Sequence, residues 1–381
     1  MKKFLSLVLA LAMTMSLVVI NTSAKEFTDN GDITYSEAVD VISEIGVVDG
    51  YTDGSFNPQG GLTRGAAAKI ICNLILGPTT AAELHADTAP FRDVPISNEF
   101  AGYIAYCSQQ GIISGYADGA FRPAAPLTGY AFMKMLLGAL GYDAENEDYV
   151  GENWSVQVAK QAIGIGLNAS LEGDFNGVDY VTREEAALYS FNTLKATMVD
   201  YDQKITTTVN GVDVVISQGT AKPVDWAEGR NNDGNIKNDG FVQFAEQFFP
   251  KLVLDNTTDA FGRPARNWEY DGKDIGTYVN TDILREEYTT EVTGRDLYDA
   301  LGRSILTDDD YDFLISIDGE TEEAVLGDAF FTEDNLLRTN TKGVGATGNG
   351  VLTQVYVDSE NKDVYISVIN TYLAVAADDY D

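Results

Sequence analysis

Cysteine, histidine and positive charge are scarce in this chain. Its 381 residues hold two cysteines and one histidine. Cys72 and Cys107 are too few for a disulfide scaffold. Each lies in an apolar helical run, where it reads as a small core residue; a bridge between them is the alternative. A lone histidine, His85, cannot build a histidine-rich zinc site. Lys and Arg number 25 against 59 Asp and Glu, for a net charge of −34. A nucleic-acid partner needs a basic footprint, and an anionic membrane surface needs the same, so both are excluded as partners. Prolines number only 9, and hydrophobic residues make up 44 % of the chain, enough to bury a substantial core. The length accommodates two or three domains.

Only one long apolar run occurs, and it is at the N-terminus. "MKK" precedes "FLSLVLALAMTMSLVVI", and "NTSA" supplies small residues before Lys25. This is the pattern of a secretory signal peptide over 1–24, cleaved after Ala24; an uncleaved anchor is the other reading. The expectation is a secreted protein with no membrane segment after cleavage. Retention at the cell then requires a folded binding domain.

An internal repeat follows. "GVVDGYTDGSFNPQGGLTR" (46–64) returns as "GIISGYADGAFRPAAPLTG" (111–129). Each copy reads as helix, turn-rich loop, helix. Tyr35, Ala38, Val39, Ile42 and Ile45 fall on one helical face, as do Phe100, Tyr103, Ile104 and Cys107. Gly46 and Gly111 are placed to end those helices in the left-handed conformation. Asp53-Gly54 and Asp118-Gly119 predict tight turns. Tyr51 and Phe56, like Tyr116 and Phe121, flank the turns and are expected to fold onto the helices. Thr63 and Thr128 stand where a residue caps the second helix. A third, worn copy opens on Trp154 and enters its second helix through "VTREE", where Thr182 and Glu185 form a capping box absent from the other copies.

These residues resemble the S-layer homology (SLH) domain. The matches are "FTDN", "FRDV", "GYTDGSFNP", "GYADGAFRP", "LTRGA" and "VTREE", spread over roughly residues 27 to 199. The resemblance implies repeats at 25–78, 88–143 and 144–200, the last degenerate, with pseudo-threefold symmetry about the second helices. It also implies grooves between copies that bind an anionic secondary polymer of the cell wall. The family's ligand-binding arginine falls on Arg64 and Arg183, with Thr63 and Thr182 beside them. In the second copy the position is Gly129, and Arg122 is a candidate replacement for the missing charge. A sugar carboxylate calls for a guanidinium fork and free backbone N–H groups at a helix start. The plain alternative is that Arg64 and Arg183 pair with neighbouring acids. Tyr35, Phe100 and Trp154, which open the first helices, either stack on sugar or serve as core.

After Val199 the pattern changes to strand alternation around Asn210-Gly211, Asp271-Gly272, Asp318-Gly319 and Ser359-Glu360-Asn361, with helices near "FVQFAEQFF" and "GRDLYDALG". The expected fold is therefore multidomain: an all-α repeat bundle, then a mainly β or α+β module over 201–381. "NNDGNIKNDG" (231–240) lacks the spacing of an EF-hand, so calcium is at most a minor expectation and no other cofactor is implied. No catalytic motif appears. The reading is a non-enzymatic S-layer or S-layer-associated protein, with self-assembly into a surface layer as a further partner relation. A wall-anchored adhesin and a wall-bound glycoside hydrolase are the alternatives.

Overall fold

The computed structural model describes residues 25–202, 205–209, 212–217, 219–226, 234–321 and 347–371. The expected signal peptide and the Asn210-Gly211 turn lie outside them. No helix among the described residues is long and apolar enough to cross a membrane.

The first part of the chain is helical. The helices are α1 (Ser36–Glu44), α2 (Arg64–Leu76), α3 (Pro78–Ala82), α4 (Ala101–Gln109), α5 (Gly129–Ala139), α6 (Trp154–Gly164) and α7 (Arg183–Lys195). The repeat is visible in their pairing. Each first helix packs on the second helix of another copy: α1 on α7, α4 on α2 and α6 on α5. The second helices α2 and α7 both meet α5. Three backbone hydrogen bonds close a ring at the entry to these helices. Leu62 N donates to the Val181 carbonyl at 2.8 Å, Leu127 N to Leu62 at 2.9 Å, and Val181 N to Leu127 at 2.9 Å. All three side chains are buried. The pseudo-threefold arrangement expected from the repeat is therefore present, and the worn third copy takes its full part in it.

Local chemistry fixes each unit. Gly46, Gly111 and Gly166 end the first helices at φ of 76°, 73° and 77°, a conformation that only glycine adopts cheaply. Thr63 accepts from Ala66 N at 3.2 Å and caps α2, whereas Thr128 makes no such bond. The capping box of Thr182 and Glu185 on α7 is present as expected. Cys72 and Cys107 are free and buried, with their sulfurs 3.5 Å apart between α2 and α4.

The remaining described elements are α8 (Phe244–Phe248), a 3-10 turn (Thr281–Ile283), α9 (Gly294–Leu306) and eleven strands, the described part of a region rich in β-structure. The chain divides into two compact units. One comprises 23–254 with 268–276, the other 255–267 with 277–381. The boundary expected at 200/201 thus does not coincide with the division. The reason lies in hydrogen bonds and burial. Met198 N donates to Val242, Val242 N to Val224, and Phe244 N to Ala196, so the chain after α7 is stitched to its own continuation. Helix α8 packs on α7 and α2. Trp268 is fully buried in the helical unit, edge-on to Phe191 on α7, and its indole N–H donates to Glu37 on α1 at 2.7 Å.

In the second unit, strands β8 (Leu284–Tyr288), β9 (Asp312–Ile317), β10 (Val351–Asp358) and β11 (Asp363–Asn370) form a sheet in the order β8-β10-β11-β9. Only β9 and β11 are parallel. Leu297 and Leu301 of α9 pack on Val355, Val357, Val364, Ile366 and Val368 of the sheet. The turns at Asp271-Gly272 and 359–361 join adjacent strands as expected, β6 (Pro264–Tyr270) to β7 (Lys273–Val279) and β10 to β11. At Asp318-Gly319 the turn is tight, with φ of 52° and 87°, and Ile317 pairs antiparallel with Glu320 across it; β9 also pairs in parallel with β11, and residues 322–346 lie outside the described ones.

Candidate functional site: grooves between the repeats

The arginines reach out of their own copies. Arg64, the first residue of α2, lies in the loop of the second copy. Its Nε donates to the Phe121 carbonyl at 2.9 Å and its Nη2 to the Ser114 carbonyl at 3.2 Å. The guanidinium stands 4.4 Å from the Phe121 ring centre and 5.0 Å from that of Tyr116. Arg183, the first residue of α7, repeats this in the loop of the first copy. Its Nε donates to Phe56 and its Nη2 to Asp49, both at 2.9 Å, over the rings of Tyr51 at 4.7 Å and Phe56 at 5.0 Å. Phe56 and Phe121 are buried as expected. Tyr51 and Tyr116 do not fold onto the helices; they remain 50 % and 42 % exposed, as floors beneath the guanidinium groups. A cation over an aromatic face gains about 0.5–2 kcal/mol.

The loops that receive the arginines are held by aspartates. Asp29 accepts from Phe56 N and Asn57 N at 2.8 and 2.7 Å, and Asp93 accepts from Phe121 N and Arg122 N at 2.7 and 2.8 Å. Asp29 is held below the usual carboxylate range, first by the Phe56 N–H. For Asp93, burial pushes upward, but the two N–H donors outweigh it and the carboxyl is again lowered.

Each groove draws on all three copies. Around Arg64 a cavity of about 360 Å³ is lined by Tyr116 and Phe121 of the second loop, Lys134 of α5 and Trp154 of the third copy. Around Arg183 a cavity of about 380 Å³ is lined by Tyr51 of the first loop, Thr63, Asn98, Glu99 and Phe100. Phe100 packs tightly against Gly65, where a Cβ would come within 2.5 Å of its ring. The hydroxyls of Thr63 and Thr182 are used as helix caps, so these two residues shape the helix starts. The third member of the aromatic set, Tyr35, accepts a hydrogen bond from Glu172 N at 3.2 Å, in the worn loop.

The helix-start N–H groups are not free for an anion, against expectation. Arg64 N and Gly65 N donate to Ala125 and Pro123, and Arg183 N and Glu184 N donate to Gly60 and Pro58. They hold the neighbouring loop in place. Nor do the arginines pair with acids. Among the described residues neither Arg64, Arg183 nor Lys134 forms an ion pair, although acids outnumber bases by more than two to one. Burial lowers the pKa of all three from ordinary values, outweighing the opposite pull of Asp93 on Arg64 and of Asp29 and Asp49 on Arg183.

The third groove is different. Gly129 N and Tyr130 N donate to Asp179 and Gly177 in the same pattern as their counterparts. A Cβ at Gly129 would come within 3.0 Å of Gly177 Cα and 3.1 Å of the Phe175 ring. Tyr130 meets Phe175 edge-on, as Phe175 meets Tyr189. Aromatic packing stands beside the position where an arginine would begin. Arg122 does not replace the missing charge there. It lies in the loop that receives Arg64, 4.1 Å over Tyr116 and bound to Asp118 at 3.1 Å.

Two further sequence expectations can be placed. His85 is exposed beside Asp87 in the linker. Of the 231–240 loop, the described part is tied down by Glu246, whose Oε1 accepts from the N–H groups of Gly234, Ile236 and Lys237. Among the described residues no three metal-ligating side chains come together.

In this bundle an arginine of one copy twice enters the Gly-Tyr-x-Asp-Gly loop of another. The S-layer homology domain family matches residues 26–68 and 90–129, so these two segments are SLH repeats. Among curated relatives, cell surface glycoprotein 1 of Acetivibrio thermocellus is 25 % identical over 223 residues, 54 % of this chain and 9 % of that protein. A surface layer protein of Brevibacillus choshinensis is 28 % identical over 145 residues, 38 % of this chain and 13 % of that one. An uncharacterized cell wall amidase of Bacillus anthracis is 28 % identical over 158 residues, covering 38 % and 28 %. The chain therefore spans only a small part of the relatives it matches.

Proposed function

We propose that this is a non-catalytic cell-surface protein, part of an S-layer or associated with one. Its SLH repeats anchor it non-covalently by binding an anionic secondary polymer of the cell wall. The observation that carries the reading is the pair of half-buried arginines, each on an aromatic floor and, among the described residues, without an ion pair in a strongly acidic chain. Such a site fits a sugar-borne carboxylate: the guanidinium binds the charge and the tyrosine offers its face to the ring. Surface-layer names among the relatives support the structural role over a catalytic one. Self-assembly into a layer is part of the same reading, and anchoring requires no cofactor in it. The test is co-sedimentation of the full chain with purified wall sacculi before and after chemical removal of the secondary polymer. Binding should be lost on stripping; binding that survives stripping contradicts the reading.

A further inference from the structure

The two arginine grooves are not equivalent in charge. In the Arg183 cavity the arginine shares the wall with Glu99, and no lysine lines it. In the Arg64 cavity Lys134 lines the wall, and no carboxylate does. Lys134 is half-buried on α5, and its ammonium group donates to the Tyr149 carbonyl at 2.6 Å. An ammonium has three donors, so one bond to a carbonyl leaves two. The Trp154 ring centre stands 5.5 Å from the same nitrogen. Lys134 forms no ion pair, and burial lowers its pKa. A cation kept half-buried in the same cavity without an acid to pair with costs stability unless a ligand supplies the charge.

Resting on the anchoring role argued above, we propose that Lys134 is a ligand-binding residue of the Arg64 groove. On this account the groove takes a sugar unit carrying two negative charges, whereas the Arg183 groove takes one carrying a single charge. The division follows from the charged side chains that line each cavity: Arg64 and Lys134 with no carboxylate in one, Arg183 with Glu99 in the other.

The full-length chain tests this at fixed salt and pH 8. Arg183→Ala leaves the Arg64 groove to act alone, and Arg64→Ala leaves the Arg183 groove. Each variant is titrated with a hexose pyruvate ketal, which bears one charge, and with a hexose phosphate, which bears two above its second pKa of about 6. The Arg183→Ala protein should prefer the phosphate by about tenfold, and the Arg64→Ala protein should show no such preference. In the Arg183→Ala background, Lys134→Met should erase the preference and flatten the dependence of phosphate binding on salt. Lys134→Arg, which keeps the charge, should retain most of it. Equal binding of both probes by the Arg183→Ala protein overturns the proposal, as does an unchanged titration in Lys134→Met. If the double variant Arg64→Ala/Arg183→Ala still binds sacculi like the parent, the anchoring role itself fails. Loss of sacculus binding there with no effect of Lys134→Met confines the failure to Lys134.

Discussion

Copies one and two are alike in their loops, yet copies one and three are alike in their chemistry. The family match covers the first two copies, whose Gly-Tyr-x-Asp-Gly loops are nearly identical. The side chains that reach between copies follow another pattern. Arg64 and Arg183 occupy one position of the second helix, and the second copy has Gly129 there. Nine residues on, Asn73 donates to Val47 at 3.0 Å, and Asn192 donates to Leu167 and Ala169 at 3.1 and 2.9 Å. The second copy again has glycine, Gly138. Supports from the rest of the chain also favour one side: Trp268 meets α1 and α7, and α8 packs on α7 and α2. A repeat therefore contributes two separable things, a loop that receives an arginine and a helix that delivers one. The second copy keeps the first and has lost the second; the third retains the arginine behind a worn loop.

Perturbing the supports should separate the copies most strongly. Trp268→Ala removes a fully buried indole from the seam of copies one and three and should destabilise the helical unit by about 3–5 kcal/mol, read by chemical denaturation. Trp268→Phe should recover most of this, short of the bond to Glu37. No change on Trp268→Ala would mean that the hairpin is not integral to the repeats. Next in size, Asn73→Ala or Asn192→Ala leaves buried carbonyls without a donor. Each should cost about 1–3 kcal/mol, with Asn192→Ala the larger because two carbonyls depend on it. Gly129→Ala should leave wall binding unchanged and shift the melting temperature only slightly; a clear loss of binding would show that the third groove is in use.

Acid should act on the receiving loops. Asp29 and Asp93 have folded pKa values below the unfolded value of about 3.9. Their contribution to stability is therefore complete above that value and lost as the pH falls through the lower, folded pKa. The melting temperature should hold steady down to about pH 5 and drop below about pH 4. Asp29→Asn and Asp93→Asn should each flatten that drop; an unaltered profile in both would remove the carboxylates from the account.

Much of the helical half was legible because its determinants are local. Turn glycines, the capping box of Thr182 and the spacing of apolar residues act within a few positions of themselves. The arginine positions were legible through the motif, but their surroundings were not. Tyr116 as a floor for Arg64, and Lys134 beside Trp154, arise only when copies close into a ring; the sequence shows Lys134 only as a lysine within the apolar run of a second helix. Two errors share this origin. Free N–H groups at the helix starts were expected because the partner carbonyls lie in another copy, and Arg122 was a candidate for the Gly129 groove because sequence does not show which loop receives which helix. The division into compact units departs from the boundary near 200 for a related reason: Trp268 is a single aromatic some seventy residues downstream, and nothing in its local pattern reveals that it packs in a distant core.

The central claim is that Arg64 and Arg183 hold the chain on the wall through an external anion. Titration of parent, single and double alanine variants against purified sacculi at one salt concentration tests it directly, with thermal melts confirming that each variant is folded. Each lost charge-assisted bond is worth about 1.5–3 kcal/mol, so each single variant should bind roughly tenfold to over a hundredfold more weakly. The double variant should not sediment with sacculi at all. A folded double variant that binds like the parent contradicts the account.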